Sequence, residues 1–350
     1  MKKYLLTPLL SVILLNSCIQ NNNKKETLVP LAHTVINLDN EYIGTGGPII
    51  SLNEGIVGIE RNRSSKQFFS ITSLPNEWYN FNQMGERGQG PGEFIFPSSI
   101  QYLDINSFGI YDSGANSYKE VSFDENKHSA IIKNETVFNN RYFKVIKTKS
   151  NQYIGLSQEN GMFHLINSNG EIKDVLFEYP YKDNEELSNN DNKTRSMAYQ
   201  GLLAINPNKT KVVYTSSNGE IIHFYNIEND KISLINKVEN NFPAYSVVAG
   251  PGFSAAQIDF KNTIMGYISI SASDKFIYAL YCDKKIEELV NNNIITKEST
   301  ILRVFDWKGN LINSYDLDIP CIQICISNDE KTLWALALTP EIAPVIFKLE

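Results

Sequence analysis

Cysteine and histidine are scarce in this 350-residue chain, which has four of each. Neither residue occurs in a metal-binding spacing, because no C-x-x-C pair and no H-E-x-x-H motif is present. Cys321 and Cys325 lie four positions apart, about 13 Å along a strand, which is too far for a disulfide. Cys282 is the third cysteine outside the N-terminal region, so the count there is odd. We therefore expect buried thiols, and neither a disulfide framework nor a zinc site.

The chain also lacks clusters of basic residues and long helices. Its formal net charge is −7, and no run of basic residues is longer than Lys24-Lys25. Both features argue against a nucleic-acid partner. Helical periodicity occurs only in residues 284–292, where we predict a short helix in a loop insert.

The first residues resemble a bacterial lipoprotein signal. A positive start at Lys2-Lys3 precedes an apolar stretch, residues 5–15, that is too short for a membrane-spanning helix. The stretch ends in Leu15-Asn16-Ser17-Cys18, which resembles a lipobox. We predict a signal peptide at 1–17, lipidation of Cys18 and a flexible tether at 18–31. The alternative is a plain secretory signal followed by a chance cysteine.

An internal repeat dominates the rest of the sequence. Six segments share an apolar strand, a short polar turn and a second apolar strand, at an average spacing of about 55 residues. The turns carry Asn, Ser, Asp, Gly or Pro, which tolerate tight turns. In most units a second hairpin follows, so each unit supplies four strands, as a propeller blade does. The six segments are 49–60, 100–112, 144–157, 202–215, 267–281 and 322–337.

The two ends of the chain complement each other. The sixth unit finishes with the strand at 344–350 (PVIFKLE) and lacks a fourth strand. Residues 32–39 (AHTVINLD) precede the first repeat and resemble the fourth strand of other units. Pairing this N-terminal strand with the C-terminal blade would close the ring and remove open sheet edges. The sequence therefore predicts an all-β, six-bladed β-propeller with four-stranded blades over residues 32–350.

The densest glycine cluster, GERGQGPGEF at 85–94, precedes the second repeat. A phosphate-binding loop is excluded because Pro91 stands where a Walker lysine belongs and Glu93 where a dinucleotide loop has its third glycine. We interpret the cluster as a structural loop that crosses from the rim of one blade to the axis, with a fainter echo at 249–260. The residues assigned to this loop are Gly88, Gly90, Pro91, Gly92, Glu93 and Phe94.

The pattern G-x-G-P-G-E-F-x-x-P at 88–97, ahead of an apolar strand, resembles the signature of NHL-like and TolB-like six-bladed propellers. In particular, it resembles the many lipoproteins of this kind in Bacteroidetes. The likeness covers about residues 32–350, although the sharp motif covers only 88–97. The resemblance implies the fold and a location in the cell envelope. Most members have no assigned activity, so it implies no catalytic residue.

No catalytic constellation is recognisable, and we assign no catalytic residue, metal ligand or cofactor. His164 and His223 occupy equivalent places in two repeats, which we interpret as a solvent-facing strand position. Enzymatic propellers often hold Ca²⁺ on the axis through scattered Asp, Glu and Asn ligands, so an axial Ca²⁺ stays an alternative. We favour turn or rim positions for the carboxylates that could act as its ligands. These are Glu60, Asp104, Asp112 and Asp259.

Aromatic residues at 76–83 form the one candidate binding rim. Trp78, Tyr79 and Phe81 would contact a sugar or peptide there, with packing between blades as the alternative. The acidic, Asn-rich residues 182–195 are predicted to be a solvated loop.

The expected function is that of a lipid-anchored envelope protein, in the bacterial outer membrane, whose non-catalytic propeller binds a protein, peptide or glycan. The alternative is a metal-dependent propeller enzyme of the lactonase, lyase or hydrolase type with a site in the axial channel. Four or more Asp, Glu, Asn or His side chains converging at one end of the channel would favour the enzyme. A channel plugged by apolar side chains would count against it.

Overall fold

The structure, a computed structural model, describes residues 26–38, 41–52, 55–60, 66–73, 79–124, 129–292 and 297–349. The predicted signal peptide, Cys18 and the first part of the tether lie outside these residues. Within the described ranges, no helix is both long and apolar enough to cross a bilayer. The chain enters through two short strands, β1 (Val29–Leu31) and β2 (His33–Val35).

Four antiparallel four-stranded sheets follow one another along the chain, each in simple meander order. Blade one contains β3 (Gly46–Leu52), β4 (Gly55–Glu60), β5 (Lys66–Ser73) and β6 (Tyr79–Glu86). Blade two contains β7 (Pro97–Asp104), β8 (Ser107–Asp112), β9 (Ser117–Asp124) and β10 (Ser129–Val137). Blade three contains β11 (Tyr142–Lys147), β12 (Tyr153–Ser157), β13 (Phe163–Ile166) and β14 (Ile172–Leu176). Helices α1 (Asn184–Asn189) and α2 (Asn192–Ala198) then lead to blade four, with β15 (Gly201–Ile205), β16 (Lys211–Ser216), β17 (Glu220–Glu228) and β18 (Lys231–Asn241).

A hairpin separates blade four from the last two blades; it is formed by β19 (Tyr245–Gly250) and β20 (Phe253–Ile258). Blade five contains β21 (Tyr267–Ala272), β22 (Phe276–Tyr281), helix α3 (Ile286–Asn291) in an insert, β23 (Ser299–Asp306) and the first half of β24 (Leu311–Ile326). The second half of this 16-residue strand is the inner strand of blade six, which continues with β25 (Thr332–Thr339) and β26 (Glu341–Lys348).

The N-terminal strands complete the outer edges of blades five and six. β2 pairs antiparallel with β26, with His33 opposite Phe347 and Val35 opposite Val345. The strand expected within residues 32–39 is therefore present and gives blade six its fourth strand. β1 adds to blade five instead, in parallel with β24. Residues 26–31, which the sequence assigns to the tether, thus include a segment bound to the propeller.

The apolar core is divided among the interfaces between blades. The described residues form six buried clusters, and each is shared by two neighbouring blades. One of them joins the two ends of the ring, since Ile56 and Phe69 of blade one pack with Trp334 and Leu336 of blade six. The second strands of the blades are buried on both faces, as in β4 and β12. Their near-continuous apolar sequences reflect that burial.

Two sequence predictions about the loops are wrong. Residues 182–195 are not a plain solvated loop, because Asp183 and Asp191 cap helices there by accepting hydrogen bonds from the N–H groups of Glu186 and Thr194. Residues 249–260 do not repeat the glycine-rich crossing loop, because they form most of the β19–β20 hairpin, with Gly252 at φ +78° in its turn. The helix expected at 284–292 is present as α3.

Candidate functional site

A central channel of about 830 Å³ runs between the inner strands of all six blades. Its walls are β3, β7, β11, β15, β21 and the second half of β24. One mouth lies where these inner strands begin, on the side of the loops that cross from blade to blade; we call this side the crossing-loop face. The other mouth lies at the turns between the first and second strands of each blade.

The channel wall alternates apolar and small polar side chains. On β21, Ile268 and Ile270 alternate with Ser269 and Ser271, and all four line the cavity. The hydroxyl groups of Ser269 and Ser271 accept hydrogen bonds from the N–H groups of Ile324 and Ile326 on the neighbouring inner strand, at 3.1 Å each. These bonds satisfy backbone groups that point into the channel.

Hydrogen bonds from side chains to the backbone of the neighbouring inner strand also link blades two and three. The amide group of Gln101 donates to the carbonyl of Lys147 at 2.8 Å and accepts from its N–H at 2.7 Å. Lys144 Nζ donates to the carbonyl of Ser98 at 2.6 Å. The inner wall is therefore held together by side-chain bridges between adjacent strands, and the lining is neither a purely apolar plug nor a charged pore.

Charged side chains occur at both ends of the channel. Lys144 and Lys297 line it toward the crossing-loop face, and Asp274 and Glu330 toward the other mouth. Asp274 accepts hydrogen bonds from Asn206 Nδ2 at 2.7 Å and from the N–H of Asn208 at 3.1 Å. Glu330 pairs with Lys275 at 3.1 Å. Both carboxylates are thus engaged by protein groups, and among the described residues no three His, Cys, Asp or Glu side chains form a metal-binding group.

The four carboxylates considered as axial ligands each belong to a different local structure. Glu60 accepts the N–H groups of Gly44 and Thr45, at 3.0 and 2.9 Å. Asp104 and Asp259 cap the turns that follow them. Asp112 holds the glycine-rich loop, as described next. The structure does not bring these residues together, and an axial Ca²⁺ stays a prediction without a ligand set.

The glycine-rich loop connects the outer strand of blade one to the inner strand of blade two. Gly92 has φ +83°, whereas Gly88 and Gly90 are outside the left-handed region. The N–H of Gly90 donates to Glu93 Oε2 at 2.6 Å, and the N–H of Glu93 donates to the carbonyl of Gly90 at 3.1 Å. A side-chain carboxylate of the loop therefore occupies the amide that a phosphate would use.

A buried ion pair holds the end of this loop. Asp112 accepts hydrogen bonds from the N–H groups of Ile95 and Phe96 at 2.9 and 2.8 Å, and pairs with Lys119 at 3.0 Å. Burial alone would raise the pKa of Asp112, but these N–H groups and the Lys119 ammonium keep its pKa below the usual value. Lys119 also donates to the carbonyl of Glu93. The loop is thus anchored by two residues that the sequence did not connect with it.

Phe94 anchors the loop in the core between blades one and two. Its side chain is fully buried and meets the ring of Phe68 edge-on at 4.7 Å, with Lys119 Nζ at 4.9 Å from its centroid. Phe96, by contrast, is exposed. These contacts fit the structural interpretation of Gly88, Gly90, Pro91, Gly92, Glu93 and Phe94, which stays a prediction until it is tested by substitution.

Helices and a hairpin interlock on the crossing-loop face over blades three to five. Residues 184–198 and 245–258 form this unit, which we call the platform. Ser254 Oγ donates to Asp191 at 2.6 Å, and Asn190 Nδ2 donates to Tyr245 Oη at 3.0 Å. Glu186 accepts the hydroxyl of Tyr245 at 2.6 Å. Burial of Tyr245, together with the hydrogen bond to Glu186 and the charge of that carboxylate, raises the pKa of the tyrosine. The sequence signal was the pair of capping patterns that begin at Asp183 and Asp191.

Exposed large apolar side chains gather on the same face. Phe253 is 52% exposed at the tip of the platform hairpin. Others stand on the first strand of the same hairpin, on the crossing loops and on α3. They are Tyr42, Phe96, Val247, Val248, Phe260 and Val290. Several exposed apolar side chains on one face are a feature of surfaces that bind a partner.

The described residues do not bring the three aromatic residues of the predicted binding rim together in one site. Trp78 lies outside them, and of Tyr79 only the backbone in β6 is described. Phe81 is half-buried and stacks on Phe69 at 6.2 Å, within the core between blades six and one. The contacts of Phe81 are those expected for packing between blades, which was the alternative to a binding rim.

The two repeat-equivalent histidines are buried, so the expected solvent-facing position is wrong. His164 Nε2 lies 2.8 Å from the carbonyl of Asn160, and its Nδ1 lies 3.2 Å from the hydroxyl of Tyr142. Burial lowers the pKa of His164. His223 Nε2 lies 2.8 Å from Glu239. Third strands are buried on both faces in this fold, which the sequence repeat alone did not reveal.

Comparison with known proteins agrees with this architecture. The model of the family described as TolB-like 6-blade propeller-like matches residues 25–329. The crystal structure of a Bacteroides fragilis protein described as exported superposes with a TM-score of 0.52, at 12% identity, over 92% of this chain and 99% of that chain. The β-propeller domain of Myceliophteria thermophila Cps50 (Swd1) gives a TM-score of 0.47 at 10% identity, over 91% of this chain and 100% of that one. No curated protein matches the sequence.

Proposed function

This chain belongs to the TolB-like six-bladed propeller family, and from that premise we propose that it is an exported lipoprotein whose propeller binds a protein partner without catalysis. The observation that carries the proposal is the set of exposed apolar side chains on the crossing-loop face. The lipobox-like Leu15-Asn16-Ser17-Cys18 supports export and anchoring. The exported B. fragilis protein of similar fold fits the same interpretation.

Physical reasons favour a protein over a glycan or a short peptide as the main partner. The exposed residues are mostly aliphatic or phenylalanine, and those of the platform stand on a hydrogen-bonded scaffold. A rigid apolar surface with a polar surround is typical of protein interfaces. The channel, with its mixed lining and its volume within the range of ligand pockets, offers room for an inserted segment of that partner.

Cross-linking in intact cells tests the proposal. Parent chain and a Phe253→Ser variant are cross-linked, purified through the propeller and analysed by mass spectrometry for partners in stoichiometric yield. Ile105→Ser is the matched control, because Ile105 is 59% exposed at the opposite mouth. We expect one partner to be lost with Phe253→Ser and retained with Ile105→Ser. Equal recovery from all three proteins, or recovery of glycan alone, would contradict the proposal.

Among the residues that the structure describes, no observation favours the enzyme alternative. A metal-dependent site would need carboxylates or histidines free to converge at one mouth, and Asp274 and Glu330 are engaged by Asn206, Asn208 and Lys275. A melting temperature that rises with added Ca²⁺ and falls with chelator would revive this alternative.

A further inference from the structure

We propose that the N-terminal segment fixes the orientation of the propeller at the membrane, so that the outer edge of blade five faces the bilayer and blade two faces away. The proposal names the lipid surface as the partner of this edge. It rests on the lipid anchor of the proposed function, and the experiment below separates the two.

The first observation is an ion pair at the start of the described chain. The carboxylate of Glu26 accepts hydrogen bonds from Arg303 Nε, at 3.0 and 3.1 Å, and from its terminal nitrogen at 2.6 Å. Ser314 Oγ donates to the same carboxylate. Burial would raise the pKa of Glu26, but Arg303 and Ser314 lower it, so that the carboxylate is charged at neutral pH. Residue 26 is therefore bound to blade five.

Arg303 is itself held in place. Its guanidinium lies 3.8 Å from the centroid of the Tyr281 ring and donates to Glu220 of blade four at 2.9 Å. The Arg303 side chain is nearly buried. Charge-assisted bonds of this kind, made by a guanidinium that is already oriented, are stronger than exposed ion pairs. The site for Glu26 is thus built into the interface between blades four and five.

The second observation is the strand pairing that follows. Val29 lies opposite Tyr315 and Leu31 opposite Leu317 in the parallel pair of β1 and β24. The N–H of His33 then donates to Asp318 at 3.1 Å, and β2 continues along blade six. Residues 26–35 are attached at each step to the outer edges of two neighbouring blades.

The third observation is the length of chain that precedes Glu26. Glu26 is eight positions after Cys18, and an extended chain spans at most about 3.5 Å per step, or roughly 28 Å in all. A lipid on Cys18 therefore keeps the outer edge of blade five within that distance of the bilayer. Blade two is the third blade from blade five in either direction around the ring of six, so with blade five toward the bilayer it is the blade furthest away.

Lipid-headgroup quenching measures this orientation. Ile312→Cys, on the outer strand of blade five, and Ile131→Cys, on the outer strand of blade two, are matched sites at 53% and 46% exposure. A maleimide fluorophore labels either site selectively, because Cys282, Cys321 and Cys325 are buried. In vesicles that contain a nitroxide headgroup lipid, we expect quenching at position 312 to be several-fold stronger than at position 131.

Two controls keep the outcomes distinct. A flexible Gly/Ser spacer of about 20 residues after residue 25, with a mean span of roughly 25 Å, should reduce the difference between the two sites. Hydrogen exchange of residues 26–35 in full-length Cys18→Ala protein should show protection, and Glu26→Gln should reduce it. If residues 26–35 are protected but the parent protein carries no lipid, the lipid anchor is refuted, and the orientation with it. The binding of residues 26–35 to blades five and six would then still stand. Equal quenching at both sites in lipidated protein, or a difference unchanged by the spacer, would overturn the orientation itself.

Discussion

Several single residues stabilise this propeller by forming hydrogen bonds to backbone N–H groups. Asp112 was considered as a metal ligand, but its carboxylate is used by the N–H groups of Ile95 and Phe96 and by Lys119. Glu93 uses its carboxylate on Gly90 in the same manner. A carboxylate and the amides that it binds are often far apart in sequence, so spacing does not reveal such pairs. Pro91 and the glycines, by contrast, carry a local signal for a turn that the sequence alone can show.

Gly92→Val should lower the free energy of unfolding by roughly 1–3 kcal/mol, because its φ of +83° is strained for a β-branched residue. No atom lies within 4 Å of an added Cβ, so the cost is one of backbone conformation and not of contact. Gly92→Asn should cost less, since asparagine tolerates positive φ. Urea denaturation of the three proteins tests this, and a neutral Gly92→Val would show that the loop relaxes without penalty.

His164 should make stability depend on pH. Its pKa is lowered in the folded state by burial, so the unfolded chain binds a proton first as the pH falls. The stability due to neutral His164 is complete above about pH 6.5 and is lost as the pH falls from there toward the folded pKa, by at most about 1.4 kcal/mol per pH unit. His164→Gln should remove this part of the slope between pH 7.5 and 5. Parallel slopes for the two proteins in chemical denaturation would contradict the assignment.

Strands were predicted more reliably than the connections between them. All six repeat segments fall on the first two strands of a blade, because alternating apolar residues and turn residues are local signals. The helices of the platform were missed because α1 (NEELSN) and α2 (NKTRSMA) are mostly polar and show no apolar periodicity, unlike the equally short α3 (IEELVN). Their capping residues, Asp183 and Asp191, were read as part of an acidic loop. The burial of His164 depends on packing against the next blade and has no local signal.

The contribution of the N-terminal strand to ring closure can be tested by substituting two adjacent residues, one buried and one exposed. Ile36 is 3% exposed within the cluster that joins blades six and one, and its N–H donates to the carbonyl of Pro344 at 2.9 Å. Val35, next to it, is 53% exposed. Ile36→Ala should cost about 2–4 kcal/mol, and Val35→Ala should cost little. Similar unfolding midpoints for the two variants would mean that the N-terminal strand contributes little to closure.

The whole molecule is a ring of six blades whose ends meet in a shared cluster. Architecture of this kind was predictable, because the repeat and the incomplete sixth unit both point to it. The exposed apolar side chains of the crossing-loop face were not predictable, since the exposure of Phe253 or Phe260 depends on where the hairpin stands relative to the ring. The aromatic cluster favoured by the sequence contributes Phe81 to the core instead.

At the scale of the whole molecule, the prediction that can be tested is attachment to a membrane through a lipid on Cys18. Cys18→Ala should abolish incorporation of a palmitate analogue, because no thiol remains at the lipobox-like position. Ser17→Ala keeps a small residue before the cysteine and should leave incorporation intact. Labelling in cells followed by gel fluorescence distinguishes them, and equal signal from parent and Cys18→Ala would refute the lipoprotein assignment.

The parallel pairing of β1 with β24 has a mechanical consequence for a body held by its N-terminus. A pull on residue 26, directed back along β1, loads the hydrogen bonds of that pair in shear, so they must yield together and not one after another. The load passes into a 16-residue strand that belongs to two blades at once. Force applied at residue 26 is therefore distributed over blades five and six before it reaches the rest of the ring.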